Sequence, residues 1–95
     1  MAAYAIAQLE ISDRAEFERY RAMVPSTLEQ FGGRYIVRGG QHEAVEGDWN
    51  PQRVVVIEFP SLERAKAWWA SEEYAEAKAL RQRCATTRLT IVEGV

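Results

Sequence analysis

The stretch Arg53-Val54-Val55-Val56-Ile57-Glu58-Phe59 is the clearest strand in the chain, because it is rich in β-branched residues and is followed by a proline. Alternate side chains of a strand point to opposite faces, so Val54 and Val56 lie on one face and the other apolar residues on the opposite face. An antiparallel sheet with one face in water alternates apolar and polar residues. Because this strand is apolar on both faces, it predicts a sheet that is covered on both sides.

Strand and helix patterns precede this stretch in regular order. Residues 3–11 alternate and predict a first strand, with alanines on one face. Asp13 and Glu16 have the spacing of a helix capping box, and an apolar stripe at steps of three and four runs over residues 17–31. Pro25 removes a hydrogen bond from that helix, so we expect it to kink the helix or to end its first half.

The remaining elements follow from glycine, proline and serine signals. They are a helix stop at Gly32-Gly33, a strand at 34–38, a long hairpin arm at 41–52 with its turn at 46–51, a helix capped at Ser61 and again at Ser71, and a last strand at 88–93. Trp68 and Trp69 are neighbours on that helix and therefore cannot face the same way. We expect one to face the sheet and the other to face a pocket rim or a partner subunit.

The order strand, helix, strand, strand, helix, strand is the split βαβ pattern of the ferredoxin-like α+β fold. Right-handed crossovers place both helices on one face of a four-stranded antiparallel sheet and leave the other face bare. Burying aliphatic side chains such as those at 53–59 contributes about 1.5–3 kcal/mol each, which favours a cover for that face. We predict that the cover is a second copy of the same sheet in a homodimer. The alternative is a partly exposed face with scattered apolar residues.

Composition limits the class of protein. The chain has 95 residues and a mass of 10.8 kDa, which predicts one domain spanning residues 1–95. Its formal net charge of −2 offers no basic surface for nucleic acid. No apolar run approaches the length of a membrane span, so we expect a protein with no membrane association that is located in the cytoplasm.

Cys84 and His42 are the only cysteine and histidine in the sequence. One cysteine excludes an internal disulfide, and one residue of each type cannot supply the ligands of a zinc site, so no metal site is predicted. The sequence has no cofactor-binding motif, and no cofactor is predicted. Binding of haem would require an axial ligand to the iron, and His42 is the only histidine that could supply one.

A set of positions spread over essentially the whole chain forms a specific pattern. They are Tyr20, Pro25, Phe31-Gly32-Gly33, Arg38-Gly39-Gly40, Glu46-Gly47-Asp48-Trp49, Glu58-Phe59-Pro60, Trp68-Trp69, Ser71, Tyr74, Arg81 and Val92-Glu93-Gly94. In these positions the chain resembles the domain-of-unknown-function 1330 family of the dimeric α/β-barrel superfamily. The resemblance implies a ferredoxin-like protomer whose sheet pairs with that of a second copy to close a dimeric α/β barrel. It implies no activity, although more distant relatives in the superfamily include cofactor-free monooxygenases and muconolactone-type isomerases.

Eight side chains are candidates for the chemistry of a pocket between the sheet and the helices. The candidate ligand-binding residues are Tyr20, Arg38, Trp49, Trp68, Tyr74 and Arg81. The candidate catalytic residues are His42 and Glu58, since each could move a proton. The alternative roles are structural: a hydrogen-bonded core tyrosine, surface ion pairs for the arginines, an inter-subunit contact for Trp49, an exposed loop histidine, and for Glu58 an ion pair with Arg38, Arg53, Arg81 or Arg88.

These candidates lead to three hypotheses. The first is a homodimer that binds a small, partly apolar molecule, anions included, in a pocket lined by Tyr20, Arg38, Glu58 and a tryptophan. The second is a cofactor-independent enzyme of monooxygenase or isomerase type, with His42 or Glu58 as the base. The third is a non-catalytic dimeric module with a filled core. A cavity reached by both Tyr20 and Glu58 would favour the first hypothesis over the third.

Overall fold

The computed structural model, which describes residues 1–95, contains four strands and three helices. The elements are β1 (Ala3–Ile11), α1 (Arg14–Leu28) with a short 3₁₀ turn after it (Glu29–Phe31), β2 (Arg34–Arg38), β3 (Arg53–Phe59), α2 (Leu62–Trp69), α3 (Glu72–Cys84) and β4 (Ala85–Glu93). The strands form one antiparallel sheet in the order β2-β3-β1-β4. This is the predicted ferredoxin-like α+β fold. The last strand begins at Ala85 rather than at residue 88, directly after the helix.

The two faces of the sheet differ as the alternation of β3 predicts. Ala5 of β1 lies opposite Ile57 of β3, and both are buried in the core under the helices. One residue further along, Ile6 lies opposite Val56 on the other face, where Val54 is also half-buried. We call this second surface, which carries Ile6, Val54 and Val56, the open face. No helix covers the open face, because all three helices pack on the alanine side of β1.

The core is built around small residues on β1 and aromatic residues on the helices. Trp68 of α2 is 1% exposed, whereas its neighbour Trp69 is 40% exposed, which confirms that the two face different ways. The Trp68 ring stacks on Tyr74 of α3 with 4.0 Å between the ring centres. Its indole nitrogen donates a hydrogen bond to the Thr27 hydroxyl at 3.0 Å, and that hydroxyl donates to the Val24 carbonyl at 2.7 Å. Both polar groups are thereby satisfied inside the core.

The helices begin where the capping residues predict. The side chain of Asp13 accepts from the backbone of Glu16 at 3.1 Å. Ser61 and Ser71 accept in the same way from the third residue after each, and they start α2 and α3 as separate helices. At the other end of α1, Gly32 adopts φ 69°, as the double-glycine stop predicts.

Pro25 does not end the first helix, which was one of the two outcomes expected of it. The helix continues through Pro25 to Leu28. Because proline has no N–H, the carbonyl oxygen of Arg21 one turn earlier lacks its helical partner. The guanidinium of Arg38, on β2, donates to that oxygen at 3.2 Å. A side chain from the sheet therefore replaces the missing hydrogen bond.

The predicted hairpin arm at 41–52 is wrong, because residues 39–52 contain no strand. Side chains hold this segment instead of a backbone ladder. The Gln52 side chain accepts from the backbone N–H of Ile11 at 2.7 Å, and the Gln52 N–H donates to the Glu10 carboxylate at 3.2 Å. The indole of Trp49 donates to the Gln8 side chain at 2.5 Å. These bonds tie the loop to the end of β1 and lay Trp49 over the open face.

Candidate functional site

A cleft lies between the sheet and helices α1 to α3, on the face that β1 lines with alanines. We call it the central cleft; its cavity volume is about 30 Å³, and the space that includes its open mouth is about 450 Å³. Ala5 and Ala7 form its floor, and the rings of Phe17, Tyr20 and Tyr74 lie among the residues around it. Because alanine is the smallest residue with a side chain, it leaves the gap that a larger residue on β1 would fill.

A chain of three hydrogen-bonded side chains reaches the central cleft from the helices. Tyr74 and Arg81 are two turns apart on α3 and therefore share one face, while Tyr20 approaches from α1. The Arg81 Nε donates to the Tyr74 hydroxyl at 3.2 Å. The Tyr74 and Tyr20 hydroxyl oxygens are 2.8 Å apart. Arg81 is only 5% exposed.

Among these three hydrogen-bonded side chains, one hydroxyl proton has no acceptor. Arg81 can only donate, so Tyr74 accepts from it and retains its own proton. If Tyr74 donates to Tyr20, the Tyr20 proton has no acceptor within the protein. If Tyr20 instead donates to Tyr74, the Tyr74 proton has no acceptor, although Tyr74 is fully buried, whereas Tyr20 is 8% exposed. We therefore assign the free proton to Tyr20.

Tyr20 is a neutral phenol at physiological pH. Burial, reinforced by the neighbouring Tyr74, raises the pKa of Tyr20 far above its ordinary value. Burial likewise raises the pKa of Tyr35, whose ring lines the same cleft from β2. Both side chains therefore act in the cleft as hydroxyl groups and not as phenolates.

Three further arginines gather at the side of the cleft formed by β2 and β3. The Arg38 guanidinium lies over the Tyr35 ring at 4.4 Å, and Arg53 lies over the Phe17 ring at 5.3 Å. Arg21 of α1 completes the group and pairs with Glu18 at 3.1 Å. Burial, together with repulsion from the other two guanidinium groups, lowers the pKa of Arg53. These like charges repel one another, so a bound anion would stabilise them.

The central cleft has cationic side chains and no carboxylate in its lining. The ion pairs of the structure join Arg19 to Glu16, Arg21 to Glu18 and Arg34 to Glu58, so Arg38, Arg53 and Arg81 have no carboxylate within 4.0 Å. The Nε atoms of Arg21 and Arg53 are buried without a hydrogen-bond partner. No group of three metal-ligating side chains is found. The cleft therefore offers hydrogen-bond donors and positive charge to a ligand.

The structure brings together five of the eight candidate residues. They are Tyr20, Arg38, Trp68, Tyr74 and Arg81, all of which line the central cleft. Trp68 contributes its ring only, because its N–H is bonded to Thr27. Trp49 lies across the sheet on the open face and is 59% exposed.

Glu58 and His42 lie outside the central cleft, so the expectation that Glu58 lines it is wrong. Glu58 is opposite Tyr4 in the sheet and points to the open face, where it pairs with Arg34 at 2.7 Å. Arg34 is not among the arginines expected to pair with it. His42 donates from Nε2 to the Pro51 carbonyl at 2.6 Å within the loop. The cavity is therefore reached by Tyr20 but not by Glu58.

Sequence analysis missed Arg21, Tyr35 and Arg53 as residues of the cleft. Arg21 is one helical turn after Phe17, and Arg53 is two residues before Val55, so periodicity places both on inward faces. The inward position of these two arginines was missed because a charged residue is usually assigned to a solvent-exposed surface.

Comparison with known proteins agrees with the fold. The family model described as "Domain of unknown function (DUF1330)" matches residues 2–95. The chain belongs to the DUF1330 family. Among curated protein sequences, no match to this DUF1330 chain was found. No helix of this DUF1330 protein is long and apolar enough to cross a membrane.

Solved structures that resemble this DUF1330 protein share the fold at low sequence identity. A protein of unknown function from Rhodopseudomonas palustris superposes with a TM-score of 0.77 at 18% identity, covering 99% of this chain and 82% of the other. SnoaB from Streptomyces nogalater, described as a cofactor-independent oxygenase, gives 0.72 at 12% identity and covers 99% and 93%. A dimeric ferredoxin-like protein of unknown function from Jannaschia sp. CCS1 gives 0.66 at 11% identity and covers 99% and 100%.

Proposed function

We propose that the protein is a homodimer that binds a small, partly apolar anion in the central cleft. The lining of the cleft is the observation that supports this proposal, because it combines apolar and aromatic walls with four arginine side chains and no carboxylate. Apolar walls favour burial of a hydrocarbon body, and unpaired guanidinium groups attract and orient a negative charge. The Tyr20 proton that has no acceptor within the protein, and the buried Nε atoms of Arg21 and Arg53 that have no hydrogen-bond partner, favour this function over a module with a filled core.

Thermal unfolding in the presence of organic acids tests the binding function. Each carboxylic acid is compared with its neutral primary amide at equal concentration. An acid at 100 times its dissociation constant adds about 2.7 kcal/mol to the free energy of unfolding. We expect acids to stabilise the protein more than their amides do. Equal stabilisation by both members of every pair would overturn the proposal.

Two arginine variants provide a matched control. Arg38→Gln removes a guanidinium that lines the cleft, and Arg19→Gln removes one that pairs with Glu16 on the outside of α1. We expect Arg38→Gln to reduce the difference between acid and amide, because Arg53 and Arg81 remain in the cleft, and Arg19→Gln to preserve it. Both variants are compared with their own unliganded form, since Arg38 also bonds the Arg21 carbonyl.

The open face supports the homodimer. Its apolar side chains Ile6, Val54 and Val56 are half-buried within one protomer, and Trp49 lies over them largely exposed. The protein from Jannaschia sp. CCS1 and another of ferredoxin-like fold from Bacteroides fragilis are described as dimeric. Sedimentation at micromolar concentration tests this part, and a native particle of 10.8 kDa would refute it.

Cofactor-independent oxygenation is a second candidate, favoured by the Tyr20 hydroxyl in a largely apolar cleft and by the likeness to SnoaB. The cleft lining includes no carboxylate and no histidine to act as a base. Such an enzyme would therefore act on a substrate that ionises readily by itself. Oxygen uptake above the uncatalysed rate, with an acidic phenol that the protein binds, is the expected sign of this activity.

A further inference from the structure

A second groove runs along β4 and is lined by residues of α2, α3 and β4. Its cavity volume is about 520 Å³, and it is open to solvent. Leu89 and Ile91 of β4 lie opposite the buried Ala7 and Ala5 of β1, so the groove is on the helix side of the sheet and not on the open face. We call it the β4 groove.

Arg81 lies between the central cleft and the β4 groove and lines both. It is 5% exposed and has no carboxylate within 4.0 Å. Its Nε donates to the Tyr74 hydroxyl at 3.2 Å, which uses one of its N–H donors. Its two terminal nitrogens have no hydrogen-bond partner within the protein, and neither is sealed from solvent. A buried guanidinium group with unused donors and no counter-charge is costly, so it favours an anion beside it.

The rest of the β4 groove adds positive charge and a further hydrogen-bonding group. Lys66 lines it from α2 and takes part in no ion pair. On β4, the hydroxyl group of Thr87 is buried without a hydrogen-bond partner. No carboxylate lines the groove. The lining therefore carries one positive charge from each of Lys66 and Arg81 and no negative charge to balance them.

Trp69 forms an aromatic wall of the β4 groove and is held in a fixed position. The Lys78 ammonium lies 3.8 Å from the centre of the Trp69 ring and donates to the Trp69 carbonyl at 2.9 Å. The attraction between the cation and the ring stabilises this arrangement. A molecule bound in the groove therefore meets an apolar surface beside the two positive charges.

The positions of the polar groups favour one shape of anion. Arg81 belongs to α3, Lys66 to α2 and Thr87 to β4, so the groups lie on three elements and not along one edge. The two oxygens of a carboxylate lie in one plane and match a single guanidinium fork. A phosphate group has three free oxygens that point in different directions and carries close to two negative charges at neutral pH, which equals the positive charge of the lining.

From these observations we infer that the β4 groove binds a phosphate group, with the terminal nitrogens of Arg81 and the ammonium of Lys66 as its charged partners. This site does not rest on the binding function proposed for the central cleft. A phosphate group has room here, because the cavity volume of the groove is far larger than the 30 Å³ of the central cleft.

The three tryptophan indole N–H signals in nuclear magnetic resonance spectra report on three separate surfaces. Trp69 lines the β4 groove, Trp68 the central cleft, and Trp49 lies over the open face. We expect inorganic phosphate to shift the Trp69 signal with saturation, and sodium chloride at equal ionic strength to give no saturating shift. A saturating shift of Trp68 without one of Trp69 would overturn this inference and leave anion binding in the central cleft intact. No saturating shift of Trp69 would also overturn it.

Two exposed basic residues provide a matched pair of variants. Lys66→Gln removes a charge from the β4 groove, and Arg83→Gln removes one from the exposed side of α3, where it lines no described groove and forms no ion pair. We expect Lys66→Gln to weaken phosphate binding about fivefold and Arg83→Gln to leave it unchanged. Equal losses in both would indicate attraction by overall charge only and would overturn the site.

Arg81→Gln should abolish the saturating shift of Trp69, because it removes the guanidinium group that the anion balances. A full saturating shift in a folded Arg81→Gln variant would refute the role of Arg81. Since Lys66 and Arg83 are exposed, the comparison of their variants remains a test if Arg81→Gln does not fold.

Phenyl phosphate and inorganic phosphate distinguish two sources of the phosphate group. Tighter binding of phenyl phosphate supports a phosphate ester whose organic part contacts Trp69. Equal affinity supports free phosphate as the ligand. Failure of both compounds to saturate the Trp69 signal would overturn the inference, whereas the comparison of carboxylic acids with their amides tests the central cleft separately.

Discussion

Replacing Gly39 with alanine perturbs both the backbone and the position of Arg53. Gly39 has φ +73°, which an alanine adopts at a cost of about 1–2 kcal/mol. A Cβ at this position would also collide with the Arg53 guanidinium. Moving that group away loses its contact with the Phe17 ring and its hydrogen bond to the Arg38 carbonyl, together about 1–2 kcal/mol.

Two other glycines separate the backbone cost from the collision. Gly47 has φ +78° and nothing within 4 Å of an added Cβ, so Gly47→Ala measures the backbone cost alone. Gly40 has neither a positive φ nor a neighbour within 4 Å, so Gly40→Ala should leave stability unchanged or raise it by up to about 1 kcal/mol. We expect Gly39→Ala to lower the free energy of unfolding by about 2–4 kcal/mol, twice the loss in Gly47→Ala.

Thermal and urea unfolding at one protein concentration measure these differences. For a domain of this size, 1 kcal/mol corresponds to a shift of about 4–8 °C in the midpoint. The anion provides a second measurement, since displacing Arg53 should weaken the stabilisation by organic acids in Gly39→Ala and not in Gly47→Ala. Equal losses of stability and unchanged binding in both variants would refute the placement of Arg53 against Gly39.

Three further substitutions test other parts of the structure. Thr27→Val leaves the Trp68 N–H unpaired in the core and should cost about 1–3 kcal/mol in urea unfolding, whereas Ser26→Ala removes an exposed hydroxyl bond and should cost less than about 0.5 kcal/mol; equal costs would contradict the buried bond. Val56→Asp puts a charge on the open face and should abolish the dimer in sedimentation; a native dimer of this variant would refute the interface. Between pH 9 and 11, the Tyr20→Phe variant should lose less stability than the unmodified protein does. The raised pKa of Tyr20 means that the unfolded chain releases this proton near pH 10 while the folded protein retains it, so rising pH favours unfolding. An identical midpoint-against-pH curve for both proteins would show that Tyr20 is not buried as described.

Local patterns predicted most elements of the fold because each depends on interactions within a few residues. Helix starts at Asp13, Ser61 and Ser71 follow from a side chain that caps its own helix. The two-faced strand 53–59 follows from alternation. The loop at 39–52 could not be predicted in the same way, since its shape depends on bonds from Trp49 and Gln52 to residues about 40 positions away.

Apolar and aromatic residues of the cleft were predicted better than charged ones. Tyr20, Trp68 and Tyr74 lie on inward stripes, so the pattern that buries them also places them at the cleft. Glu58 faces away because it alternates with Ile57, which is buried under the helices. Its ion pair with Arg34 depends on the register between β2 and β3, including an irregularity between Tyr35 and Val37.

The amino-acid order therefore specifies the elements, their inward faces and the ferredoxin-like arrangement, because short-range capping and periodicity act over neighbouring residues. Tertiary structure alone determines which charged groups meet. Arg38 bonds the carbonyl that Pro25 leaves free, and Arg81 reaches Tyr20 through Tyr74. Long side chains have many rotamers and several partners within reach, so only the packed arrangement of helices on the sheet selects one.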